Sequence, residues 1–173
     1  MRIHIHLIWL GLTLAAASLG CATMQGDPGV TGDCVVATVV DGDTFRCQDG
    51  RRVRLVGVDS PEYQQRPYGD RARTALLQLL PPGARVRLEL DVAPHDSYGR
   101  VLACVWSGTD LINERMVHEG WSVLYTVPPN VKYAARLGQA QKEARVNGAG
   151  LWAEHGFECL PGDFRQRRCV SRP

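Results

Sequence analysis

Three short apolar runs, Val35–Val40, Thr44–Cys47 and Val53–Val58, stand close together in the chain, separated by Asp41-Gly42-Asp43 and Asp49-Gly50. Asp-Gly between β-rich runs is a strong hairpin signal, so the spacing predicts a three-stranded meander. A helical stripe follows over Tyr68–Leu80, with Ala72, Ala75, Leu76, Leu79 and Leu80 on one face, and Pro81-Pro82-Gly83 ends it. Arg85–Asp91 alternates apolar and polar residues, as a half-buried strand does, and Arg100–Trp106 reads as a fifth strand. Leu111–Glu119 predicts a short helix stopped by Gly120, Trp121–Tyr125 a short extended run, and Tyr133–Asn147 the longest helix. Three strands, a helix, two strands and then helices predict an α+β, β-rich domain: a small five-stranded antiparallel barrel with about three helices packed outside it.

The two ends of the chain read differently. Arg2 precedes the apolar run Ile5–Leu19, and small residues and Cys21 follow. That pattern, too short for a comfortable membrane span, predicts a signal peptide over residues 1–21. Ser18-Leu19-Gly20-Cys21 resembles a bacterial lipobox, which would lipidate Cys21 and anchor the protein to a membrane. Ala15-Ala16-Ala17 offers an ordinary cleavage site and plain secretion instead. Residues 22–33, rich in Gly, Thr and Asp, predict a flexible spacer, residues 34–152 the domain, and residues 153–173 an Arg-rich tail. Export permits disulfides; Cys159 and Cys169 bracket a Pro-Gly loop and form the first expected pair, while Cys47 and Cys104 fit apolar strand positions.

The net charge of +2 over 173 residues advertises no global basic field. The cations are nearly all Arg, Lys132 and Lys142 excepted. Arginine grips phosphate through a planar fork, although coding bias produces the same preference. No Cys/His spacing suggests zinc, and no segment repeats. The carboxylates are more telling. Asp41 and Asp43 share a turn, Arg54 interrupts the third apolar run, and Asp59 and Glu62 flank Pro61 at its end. Four carboxylates and an arginine at strand ends suit a hard cation beside an anionic group. Each fragment alone also reads as an ordinary turn or a surface ion pair. His95, His118 and His155 lack ligand spacing and read as surface residues, and Trp106, Trp121 and Trp152 read as core.

A further fragment, Asp96-Ser97-Tyr98-Gly99-Arg100, precedes the fifth strand. Together with Asp41-Gly42-Asp43-Thr44, Arg54 and Asp59-Ser60-Pro61-Glu62, in that order and at that spacing, it resembles the staphylococcal nuclease (thermonuclease) family from about Cys34 to Trp152. The resemblance implies an OB-type barrel and an exported, Ca²⁺-dependent nuclease that hydrolyses phosphodiester bonds without regard to the sugar. Its partners would be single-stranded DNA and RNA as well as double-stranded DNA, and it would act as a monomer. Asp43, Asp59 and the Ser60 backbone carbonyl would hold the ion, with Asp41 nearby. Glu62 would be the general base, Arg54 and Arg100 would hold the phosphate, and Tyr98 and Tyr125 would line the nucleotide pocket. Departures from the family pattern are the short Gln64–Pro67 loop, Ser97 in place of a lysine and Val127 in place of an aromatic. The alternatives are a non-catalytic nucleic-acid-binding barrel and an envelope lipoprotein with a purely structural barrel. The tail arginines either add phosphate contacts or stay solvated.

Overall fold

The computed structural model describes residues 30–169. The proposed signal peptide, Cys21 and residues 22–29 of the expected spacer lie outside the described residues. Strand β1 (Val30–Val39) begins within the stretch that the sequence assigns to the spacer, and it runs antiparallel to β2 (Thr44–Cys47), which pairs with β3 (Arg52–Leu55). This is the predicted meander. Gly50, at φ +90°, supplies the left-handed residue that the β2–β3 turn requires.

The third apolar run does not stay in one strand. Gly57, at φ +79°, turns the chain after β3, so that Val58–Asp59 form a separate strand β4. A β-carbon at Gly57 would lie 2.7 Å from the Leu137 side chain, so the turn is packed as well as left-handed. Strand β4 pairs with β8 (Val123–Leu124), Asp59 opposite Val123. The turn thus carries Asp59 out of the barrel sheet to its rim.

Helix α1 (Tyr68–Leu79) follows, buried along Ala72, Ala75 and Leu76. Strand β5 (Arg85–His95) is longer than its alternating segment and lies between β1 and β6 (Val101–Ser107). A register shift between Leu90 and His95 bends it along β6. The barrel closes where β3 meets β6 in parallel, Val53 opposite Val101 and Arg54 opposite Leu102. It is therefore a mixed five-stranded barrel of the OB type, with antiparallel pairing at its other seams. A short β7 (Asp110–Leu111) leads into α2 (Ile112–His118), and α3 (Ala134–Val146) packs on α2. A one-turn helix, Gly150–Trp152, and α4 (Pro161–Arg165) complete the described chain.

Phe45, Leu55, Leu76, Leu88, Val53, Val105, Ile112 and Met116 fill the core, each essentially without solvent contact. Trp106, Trp121 and Trp152 are half-buried at its margins rather than inside it. Cys34 and Cys47 form a disulfide across β1 and β2, Cα atoms 5.7 Å apart, so Cys47 is a crosslink rather than a plain core residue. Cys104 is buried and free. Cys159 and Cys169 pair as expected, with Cα atoms 5.4 Å apart. Asn113 locks α2 to the barrel. Its Oδ1 accepts from Val105 N at 2.8 Å, and its Nδ2 donates to the Val56 and Ala103 carbonyls at 2.8 and 3.2 Å.

Asn113→Ala strands the Val105 N–H and the Val56 carbonyl in the interior, where an unpaired group costs about 1–3 kcal/mol, while the Ala103 carbonyl keeps the Val56 N–H at 3.0 Å. A loss of roughly 2–4 kcal/mol, read as a lower urea midpoint at unchanged slope, is expected.

Candidate active site

One cleft of about 340 Å³ at the barrel rim is lined by Asp41, Asp43, Arg54, Asp59, Ser60, Pro61, Glu62, Tyr98, Arg100, Tyr125 and Arg165. Every side chain singled out from the sequence for this chemistry is among them, Cys21 being outside the described residues. They reach it from five places: the β1–β2 turn, the middle of β3, the segment from β4 to Glu62, the turn before β6, and the residue after β8.

Close backbone approach makes this convergence possible. A β-carbon on Gly42 would lie 2.6 Å from Ser60 Cβ and 2.7 Å from Ala72 Cβ. Only a bare backbone lets the Asp41–Asp43 turn lie flat against Ser60 and α1. Ser60 is fixed from its other side, its Oγ sharing a hydrogen bond of 2.5 Å with Ser122 Oγ.

Arg54 stands between two buried carboxylates. Its Nη1 lies 2.6 Å from Asp43 Oδ1, and its Nη2 donates to Asp59 Oδ1 and to the Val58 carbonyl, each at 3.2 Å. The Asp43 contact is a close ion pair, and Nη1 is buried against it, out of contact with solvent. Asp43 Oδ1 also accepts from Thr44 Oγ1 at 2.9 Å, and its Oδ2 from Ser60 N at 3.1 Å. Burial pushes the Asp43 carboxyl up, but Arg54 and the Ser60 N–H outweigh it and hold the group below its usual range. Burial likewise works against the Arg54 charge, and Asp43 more than restores it. Asp59 goes the other way: burial raises it, and two arginines do not fully offset that. Asp41 is raised from 3.8 to about 6, first by burial and then by the adjacent Asp43 charge.

Arg100 is aimed by Asp96, whose Oδ2 accepts from Arg100 Nε at 2.6 Å and whose Oδ1 accepts from the Arg100 and Tyr98 backbone N–H groups at 3.0 and 2.9 Å. Burial raises Asp96, but these donors prevail and lower it. The two terminal nitrogens of Arg100 take no protein partner among the described residues. Glu62 is one-third exposed, and its backbone N–H donates to Gln65 Oε1 at 2.9 Å. Tyr98 and Tyr125 are exposed at the rim. A second, mainly apolar hollow of about 340 Å³ adjoins the cleft and shares Arg54, Tyr98, Arg100 and Tyr125 with it.

Oxygen is the only donor type on the carboxylate side, which fits a hard cation. Among the described residues no three His, Cys, Asp or Glu side chains converge into a cage, so Asp43 and Asp59 would need carbonyl and water ligands to complete a coordination shell. Two residues of the site escaped the sequence. Arg165, from α4, donates to both oxygens of Asp59 and to Glu62. Gln65 ties the Glu62 backbone to the tail by donating from Nε2 to the Cys159 carbonyl at 3.1 Å. The sequence marked the tail only as Arg-rich, with nothing to single out one arginine.

Carboxylates and guanidiniums sharing one cleft at a barrel rim can hold a cation and an anionic ester side by side, the task of a phosphodiester-cleaving protein. The family model described as "Staphylococcal nuclease homologue" matches residues 52–154. The thermonuclease of Staphylococcus intermedius is 42% identical over 126 residues, 68% of this chain and 74% of the relative. That of Staphylococcus hyicus is 38% identical over 126 residues, with the same coverage. Protein ParB of Escherichia coli is 32% identical over 158 residues, 84% of this chain and 82% of the relative. The chain belongs to the staphylococcal nuclease homologue family and is a nuclease of the thermonuclease kind.

Arg54→Ala leaves two carboxylates buried without their shared partner, at a cost of about 3–5 kcal/mol near neutral pH. Asp43 is lowered by Arg54, so the stability it brings is present above its usual 3.8 and is lost as pH falls through its folded value. In the variant both carboxyls instead protonate readily. The stability gap between variant and wild type, from urea titrations, is therefore expected to narrow as pH falls from about 7 to about 4. A constant gap contradicts the pairing.

Proposed function

We propose that this chain is an exported, Ca²⁺-dependent nuclease that hydrolyses the phosphodiester bonds of DNA and RNA without regard to the sugar. The observation that carries the reading is the pair of Arg100 terminal nitrogens, free of hydrogen-bond partners among the described residues, in the one cleft that Arg54 and the carboxylates Asp41, Asp43, Asp59 and Glu62 also line. Asp43, Asp59 and the Ser60 carbonyl would hold the ion, with Asp41 beside them. When bound, it supplies positive charge next to the phosphate oxygens.

The residues of the chain do the rest. Arg54 and Arg100 hold the scissile phosphate from two sides, and their charge meets the negative charge that builds on its equatorial oxygens. Neither has to be reoriented as the reaction proceeds, because Asp43 and Asp96 already fix both side chains. Glu62 takes a proton from the attacking water; its one-third exposure at the rim leaves room for that water. Tyr98 and Tyr125 offer faces on which a base stacks, beside the apolar hollow. Phosphate and sugar contacts carry no base information, so little sequence preference follows. Two disulfides support a working place in an oxidising compartment. Secretion or a lipid anchor at Cys21 would both provide one.

Digestion of single-stranded DNA by the purified protein tests the reading. Cleavage that needs Ca²⁺, stops with excess EGTA and falls on the order of 10²-fold or more in Glu62→Gln is expected. A folded Glu62→Gln protein that cleaves like wild type rules out Glu62 as the base. A wild type that binds DNA but never cleaves it would favour a binding barrel.

A further inference from the structure

Arg165 lies beyond the residues matched by the family model, 52–154, on a tail that the barrel does not need for closure. Yet its guanidinium is inside the cleft. Nη1 donates to Asp59 Oδ1 at 2.9 Å and to Glu62 Oε1 at 2.7 Å, and Nη2 donates to Asp59 Oδ2 at 2.8 Å. Its Cζ lies 5.9 Å from the centre of the Tyr125 ring. The segment carrying it is pinned at several points. The Cys159–Cys169 disulfide closes the loop around α4, Arg168 Nε donates to Asp163 Oδ1 at 3.0 Å, and Gln65 joins the Cys159 carbonyl to the Glu62 backbone. The backbone of the tail is thus fixed to the same loop that carries Glu62.

We propose that Arg165 is a third phosphate-holding arginine of this site, and that it serves as the internal counter-ion of Asp59 and Glu62 until a cation and a substrate phosphate enter. This rests on the reading of Asp59 as a cation ligand. Both Asp59 oxygens are engaged by Arg165, and a divalent ion at Asp59 needs at least one of them while repelling the guanidinium. The two compete, and the ion carries twice the charge. The displaced guanidinium stays charged, because no accessible pH neutralises arginine. Its side chain is 39% exposed and tethered in the cleft that Arg100 and Tyr98 also line. A phosphate entering there offers the same two-pronged acceptor that the Asp59 carboxylate offered. Only the side chain has to turn.

Two calorimetric titrations of the protein with both disulfides formed test this: CaCl₂ alone, then thymidine 5′-monophosphate at saturating Ca²⁺, which requires no turnover. Arg165→Ala is expected to bind Ca²⁺ about tenfold tighter than wild type and the nucleotide about tenfold weaker, the scale of one charge-assisted contact. Arg165→Lys, which keeps the charge and loses the fork, is expected to fall between on both axes. Arg165 pairs at the rim and supports no core side chain, and a circular dichroism melt matching wild type verifies that the variants are folded. Unchanged or weaker Ca²⁺ binding in Arg165→Ala overturns the proposal, as does unchanged nucleotide binding. If wild type and variant alike take up no Ca²⁺, the cation reading of Asp59 has failed and the proposal falls with it. If both take it up equally, only the role of Arg165 has failed.

Discussion

The contact on which the site depends is the Arg54 guanidinium held between Asp43 and Asp59, whose side chains are 13%, 10% and 2% exposed. Three ions so far out of water are tolerated only when each is paired and hydrogen-bonded. Here the β1–β2 turn supplies Asp43, the centre of β3 supplies Arg54, and the chain beyond the Gly57 turn supplies Asp59. Arg54 joins all three segments, and Asp59 is held by Arg165 as well. The ion triad therefore ties the β1–β2 turn and the chain beyond Gly57 to strand β3.

The barrel's closure makes that arrangement useful. Arg54 sits on β3 opposite Leu102 of β6, and Arg100 stands just before β6. Pairing β3 to β6 in parallel thus places two guanidiniums on neighbouring strands at one end of the barrel, although they are far apart in sequence. Asn113, hydrogen-bonded to both Val105 and Ala103 of β6, holds that strand against α2. Asp96 then turns Arg100 so that its free edge faces inward. Like charges brought this close repel, and the carboxylates of the opposite wall offset the repulsion. Positive and negative walls are each unfavourable without the other.

Much of this was legible in the sequence. The meander, α1 and α3 declare themselves through periodicity and Gly/Pro punctuation, which are local properties. The fragments Asp41–Thr44, Arg54, Asp59–Glu62 and Asp96–Arg100 pointed to one cleft because charged residues at strand ends have few structural uses in common. What stayed hidden is non-local. The run Val53–Val58 is continuous in hydropathy, and only the left-handed Gly57 and its packing on Leu137 reveal that β4 leaves the sheet. The parallel seam leaves no mark, because the alternation of β6 is the same whichever neighbour it takes. Cys34–Cys47 depends on the register of β1 and β2, which no count of cysteines supplies. Trp106 fell short of full burial because an indole at the sheet margin keeps its polar edge near a partner, Nε1 donating to Glu89 Oε2 at 2.6 Å.

Arg165 belongs to the same hidden class, and it bears on how the charge of the site is assembled. The turn before β6 carries Ser97, exposed, where the family resemblance leads one to expect a lysine. That turn therefore brings Arg100 to the cleft without a second cation beside it. The tail brings one to the same cleft. A cation on an exposed turn is a solvated point charge with little to hold its direction. One on a helix closed by a disulfide and bound to Gln65 is aimed, and its fork matches the two oxygens of Asp59. The number of positive groups lining the cleft is thus raised by a segment outside the barrel. The short Gln64–Pro67 loop fits the same arrangement, since Gln65 is the residue that reaches the tail. Loop and tail are joined beside the cleft through Gln65, and the direction of Arg165 depends on that joint.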